Sequence, residues 1–297
     1  MVALFPGASG LECDWQSIFG ANNTDFVLLS CITLPWACRI LQFGQRAEIL
    51  GTKHRIEVSI KCTQNENAEN QNAKYIASIS DIIGPSPSIV DFGHILNMSL
   101  SAINAIVHPP IMYAKWKDFD GKPLDQKPLF YQGLDEEGAD LMSKLSDETL
   151  VITKSIEQET GLSLVTQHIY EWYKSCYGDE CQDTSSLLST IVTNPGYDGL
   201  THPMTMVDTK YVPNFKHRYL SEDIPYGLVV IRGLSLILDT KYQCKAPVMD
   251  KIIIWSQSML NKEYLKYEED GSIVPGKDIN ETRAPQRYHI KSIMELV

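Results

Sequence analysis

The chain has 297 residues, 43% of them hydrophobic and 21% charged, with a formal net charge of −11. That length buries a core of one large or two ordinary domains, and the composition is globular rather than disordered, collagenous or coiled-coil. With 37 acidic against 26 basic residues and no clustered Lys or Arg, the chain repels phosphate backbones. Nucleic acid is thereby excluded as a partner, while small anions held by one or two local arginines remain open.

The opening residues MVALFPGASG have no basic n-region and no long apolar core, so no signal peptide is expected. No run approaches the ~18 apolar residues of a membrane span. Seven cysteines at irregular spacing predict reduced thiols and a cytoplasmic protein. Residues 2–5 read as a short strand, PGASG as a turn, and 11–19 as a weakly amphipathic helix. FVLLSCITL (26–34) is the near-continuous apolar run of a strand buried on both faces. Residues 48–50 and 56–60 read as further strands, and the polar stretch 63–74 as a surface loop. The punctuation DIIGPSPS (81–88) predicts a domain boundary, with residues 1–88 as the later portion of a doubly wound, Rossmann-type α/β domain and 89–297 as an all-α domain. Within the all-α domain a single helix is expected over 89–107, stopped by Pro109–Pro110. Others are expected near 135–145, 149–159, 162–176, 225–239 and 247–265.

A nucleotide-binding domain normally begins with a strand, a GxGxxG turn and a helix, because pyrophosphate must approach bare backbone at a helix N-terminus. That fingerprint is missing. GASG (7–10) follows a strand-like run but has the wrong spacing, so the sequence reads as a truncated nucleotide-binding domain.

Three segments carry residues with chemistry. On the helix around 95–108, Asn97, Ser101, Asn104 and His108 share one face. They either line a substrate pocket with His108 at its end or satisfy helix–helix contacts. In HRYLSEDIPYGLVVIRG (217–233), Arg218 offers a planar fork for a carboxylate. Asp223 either caps the helix that follows, as Ser221 does equally well, or orients a histidine. SCITLPWACRI (30–40) ends a buried strand, where open α/β sheets bind ligands. There Cys38 either faces a ligand or fills space. Thr201–His202, in GYDGLTHPM (196–204), reads as structural.

SCITLPWACRI, NAIVHPPIMY, GYDGLTHPM and RYLSEDIPYGLVVI, in this order, resemble the opine dehydrogenases, particularly the octopine and tauropine enzymes, through nearly the whole chain. The resemblance implies NAD as cofactor and a substrate-side helical domain. It also implies a reaction in which pyruvate and an amino acid condense to an imine that NADH reduces, regenerating NAD+ for anaerobic glycolysis. Carried over, the catalytic histidine is His108, its carboxylate partner Asp223, the substrate-carboxylate arginine Arg218, and a residue of the amino-acid site Cys38. Asn104, one turn before His108 on the shared polar face, is expected at the substrate pocket from its spacing and not from the resemblance. No metal is implied. Ala8 stands where a Gln facing the amino acid is expected in octopine-type members, which speaks against arginine as substrate. The alternative is a non-catalytic helical binding or assembly module of the same descent. A ketopantoate-reductase relative would instead use a lysine as its acid.

Overall fold

A computed structural model describes residues 2–4, 7, 9–20, 27–52, 54–61 and 68–297, with side chains for all of these except 37–39, 50, 51, 68–71 and 240. The chain divides into two compact units. One holds residues 1–101 with 162–165 and 296; the other holds 102–161 with 166–295 and 297.

The first unit is built on a four-stranded sheet in the order β1 (Val2–Leu4), β2 (Leu28–Cys31), β5 (Arg55–Lys61), β6 (Ser88–Asp91). The pairings β1–β2 and β5–β6 are parallel and β2–β5 is antiparallel, so the sheet is mixed. All four residues of β2 are buried, as its continuous apolar run predicts. Strand alternation splits that run between two faces. Leu29 and Cys31 join Val58, Ile60 and Ile79, the last on helix α2 (Ala68–Ile83). Leu28 turns to the opposite face and packs with Trp15 of helix α1 (Leu11–Phe19) and with Ile95. Helices thus cover both faces, the layering expected of the α/β region. A separate antiparallel hairpin is formed by β3 (Trp36–Gln42) and β4 (Arg46–Thr52).

The stretch expected as a surface loop is helical wherever it is described. Residues 62–67 lie outside the described set, but α2 is already helical from Ala68. Its polar opening hides an apolar stripe, in which Tyr75, Ile76, Ile79 and Ile83 recur at helical spacing and pack on the sheet. The unit also runs past the expected boundary at 88, because β6 pairs with β5.

The single helix expected over 89–107 is a strand and two helices: β6, α3 (Leu96–Leu100) and α4 (Ile103–Trp116). Asn97 accounts for much of the break. Its Nδ2 donates to the Phe92 carbonyl at 2.5 Å, and its Oδ1 accepts from the Val165 amide at 2.8 Å. This amide therefore braces backbone instead of lining a pocket. Pro109 and Pro110 do not stop α4 but lie inside it, both buried. A proline in a helix interior costs about 3 kcal/mol. Here both prolines are buried within α4, and that burial offsets the local cost.

The second unit is mainly helical: α4, α5 (Glu136–Thr160), α6 (Ile169–Tyr177), α7 (Leu187–Val192), a short α8 (Arg218–Ser221), α9 (Val229–Tyr242) and α10 (Pro247–Met259). Two expected helices at 135–145 and 149–159 are the one helix α5. It starts where the Asp135 carboxylate caps the Gly138 amide at 2.8 Å and ends at Gly161 with φ 74°. No Pro lies between and no Gly beyond its first turn, so nothing interrupts it. This unit is not purely α. Two small hairpins, β7 (Met204–Val207) with β8 (Lys210–Pro213) and β9 (Leu265–Tyr267) with β10 (Ile273–Pro275), lie between and beyond its helices.

Candidate active site

Helix α4 presents His108, which is 4% exposed. Opposite it the chain forms α8 and then a π-type turn over Ile224–Leu228. The turn is wide: the Asp223 amide donates to the Arg218 carbonyl at 3.2 Å, and the Leu228 amide to the Asp223 carbonyl at 3.1 Å, each five residues apart. Such turns inside helices recur at functional sites. Gly227 permits the close approach, since a Cβ there would lie 2.4 Å from the Ala105 Cβ on α4.

The Asp223 carboxylate therefore does not cap a helix. It meets His108 Nδ1 at 2.7 Å across 115 residues of sequence. With a carboxylate as acceptor, Nδ1 carries a proton and the neutral imidazole keeps its lone pair on Nε2. The Tyr131 hydroxyl lies 2.9 Å from that Nε2. Tyr219 stacks on the imidazole with ring centres 3.9 Å apart and planes inclined by 27°. Phe130 packs against both rings. The histidine is thus held at both nitrogens and on one face, the arrangement of a positioned acid–base group.

Arg218 begins α8 and is exposed, its guanidinium 6.0 Å from the Tyr219 ring centre. Among the described residues it forms no ion pair, so it is available to an anionic ligand. Burial lowers the His217 pKa and the Arg218 charge lowers it further. For Tyr219 burial dominates and raises the pKa, with Arg218 acting in the opposite direction. Asn104 is exposed on α4, one turn before His108. Asn97 and Ser101 do not share its helix. Cys38 lies in β3 at a register shift, its side chain outside the described set, as is Ala8. His202, whose segment reads as structural, is buried beside Trp116 and Phe130. It is 2% exposed, accepts from Trp116 Nε1 at 3.0 Å, and burial pushes its pKa down to about 3. Among the described residues no three His, Cys, Asp or Glu side chains gather as a metal site.

Sequence reasoning missed Tyr131, Phe130 and Tyr219. Tyr219 adjoins Arg218 in a segment already singled out. Tyr131 lies in KPLFYQGLD (127–135), which has no periodicity or motif to mark it.

Residues 92–260 match the family described as NAD/NADP octopine/nopaline dehydrogenase, alpha-helical domain. The chain is 42% identical to a tauropine dehydrogenase of Arabella iricolor over 296 residues, covering 99% of this chain and 72% of that protein. It belongs to the opine dehydrogenase family. The octopine dehydrogenase of Pecten maximus is 35% identical, over 99% of this chain and 70% of its own length. A solved octopine dehydrogenase with NADH and L-arginine superposes with a TM-score of 0.86 at 33% identity, covering 98% of this chain and 70% of that one. Another, with NADH and agmatine, gives 0.87 at 34% identity over the same shares. An α/β region followed by a helical region is accordingly the family architecture, and NAD is the family cofactor.

The GASG turn does not fit a pyrophosphate. The Gly7 amide already donates to the Cys31 carbonyl at 2.6 Å and the Gly10 amide to Ser99 Oγ at 2.8 Å. The first turn of α1 also holds Glu12, fully buried, its carboxyl pushed up by burial and hydrogen-bonded by Ser99. An anion at this turn would find the Gly7 and Gly10 amides taken and the acidic side chains of Glu12 and Asp14 beside it. No residue of this chain is assigned to the dinucleotide.

Proposed function

We infer that this chain serves in the NAD-dependent reductive condensation of pyruvate with an amino acid, an oxidoreductase reaction on a CH–NH bond carried out in the cytoplasm. The α/β unit, which extends to residue 101 past the boundary expected at 88, would belong to the nucleotide side and the helical unit to the substrate side. The observation that carries the reading is the 2.7 Å contact between His108 and Asp223, two residues that the sequence separates widely and that the family resemblance pairs.

Joining a keto group to an amine releases water, and reducing the imine consumes a proton. A residue that moves protons at neutral pH is therefore needed, and His108 oriented by Asp223 supplies it. Arg218, exposed near Tyr219, would anchor a substrate carboxylate through paired charge-assisted bonds. Asn104 and Cys38 are assigned to the surroundings of the substrate.

The test is NADH oxidation by the full chain with pyruvate and a panel of arginine, taurine, alanine and glycine. His108→Ala should lower kcat by ~10²–10⁴-fold, the usual contribution of a positioned acid–base group. A loss below about tenfold would remove His108 from the chemistry. If fluorescence titration shows no saturable NADH binding, the non-catalytic binding module becomes the better reading.

A further inference from the structure

Both nitrogens of the His108 ring are already engaged. Nδ1 faces Asp223, and Nε2 faces the Tyr131 hydroxyl at 2.9 Å. No ring nitrogen is left for a substrate atom unless the imidazole turns or Tyr131 leaves. The imidazole is held by Tyr219 stacked at 3.9 Å and by Phe130. Tyr131 is held as firmly. Its ring stacks on Tyr197 at 3.9 Å with planes inclined by 13°, and Tyr197 in turn lies hydroxyl to hydroxyl with the fully buried Tyr173 at 3.3 Å.

We propose that the Tyr131 hydroxyl stands between His108 and the substrate and relays the proton between them. The proposal rests on His108 being the acid–base group of the reading above. A phenol suits the task because one oxygen both donates and accepts. In the protonating direction, the substrate oxygen or nitrogen displaces the Tyr219 hydroxyl from its hydrogen bond with Tyr131 and bonds to the phenolic hydrogen as the Tyr131 O–H bond breaks. The phenolic oxygen takes the Nε2 proton of the imidazolium. The imidazole ends neutral, its remaining proton on Nδ1 and donated to the Asp223 carboxylate, and the tyrosine ends as it began. One proton has moved from His108 to the substrate and no redox partner is needed. Burial keeps the isolated phenol protonated, so its oxygen loses the proton only as it gains another.

Tyr131→Phe keeps the ring and its stack on Tyr197 and removes only the hydroxyl. In the full chain, with pyruvate and the best amino acid of the panel, kcat should fall at least about tenfold with KM little changed. The rate in mixtures of H2O and D2O should curve for the wild type, where two protons move together, and become linear in the variant. The ¹⁵N resonance of His108 Nε2 should shift when its hydrogen-bond donor is lost. A tyrosine that only supports packing would alter KM and melting temperature, and leave the isotope response curved. A variant with kcat within about threefold of wild type, or an unmoved Nε2 resonance, overturns the relay. If His108→Ala is inactive while Tyr131→Phe is not, the relay falls and the reading of His108 stands. If His108→Ala stays active, or the wild type forms no opine, both fall.

Discussion

Two carboxylates in the helical unit, one buried and one half-buried, each hold a basic partner, and they differ in whether that partner can release a proton. Arg232 on α9 meets Asp250 on α10 through Nε at 2.6 Å and Nη2 at 3.2 Å. Its Nη1 bonds Ser235 Oγ at 2.6 Å, and that hydroxyl donates its own proton to the Cys244 carbonyl at 2.8 Å. The guanidinium stays charged at any ordinary pH, and its side chain is only 4% exposed. This pair joins α9 to α10. His108 and Asp223 are as close, at 2.7 Å, but the carboxylate side chain is 17% exposed and the base is an imidazole. Contact distance therefore does not distinguish a structural pair from a chemical one. The identity of the base and the access to solvent do.

The comparison can be broken from either side. The largest effect is expected at the closed pair. Arg232→Ala leaves Asp250 buried without its cation, and burial already pushes that carboxyl's pKa up against the arginine. Chemical denaturation should show a loss of about 3–5 kcal/mol, while the protein that remains folded turns over at the wild-type rate. At the open pair the pattern should invert. Asp223→Asn keeps the shape but removes the charge that orients and stabilises the imidazolium, so kcat should fall at least about tenfold with stability changed by less than about 1 kcal/mol. Equal losses of stability in the two variants would erase the distinction.

The smallest effect concerns a third carboxylate. Glu148 of α5 accepts from the Val248 and Met249 amides at 2.8 Å each, holding the N-terminus of α10. Burial pushes its pKa up to about 7, above the value it would have unfolded. Its protonated form is thus favoured by folding, and the associated stability is complete below the unfolded pKa near 4.3. That contribution is lost as pH rises towards 7. The melting temperature of wild type minus that of Glu148→Gln should decline across this window and level off above it. A flat difference would show that Glu148 ionises as an exposed group does.

Regions of the molecule differ in how legible they are in the sequence. The centre of the run FVLLSCITL was legible, as β2 over Leu28–Cys31, because burial on both faces leaves an uninterrupted apolar run. Helix α5 was located but cut in two, since its polar face at Ser146–Asp147–Glu148 resembles a connection when read without its neighbours. The turn at Asn97 was hidden because the partners of that side chain, Phe92 and Val165, are backbone groups that leave no mark on composition. Local rules misread Pro109–Pro110, because packing outweighed the cost of a proline within a helix. His108, Asp223 and Arg218 were visible through the family resemblance; their spacing alone left a capped helix equally good. Tyr131 was invisible, because a hydroxyl that matters by its distance to one nitrogen has no period in the chain.

Gly227 has a consequence for variation among related chains. Its α-carbon faces the methyl of Ala105, and the room between the two backbones accommodates one Cβ rather than two. A chain that gains a methyl at 227 must lose one at 105 to keep this spacing. Substitutions at the two positions should therefore be correlated across the family, and a homologue with side chains at both should hold its equivalents of His108 and Asp223 farther apart.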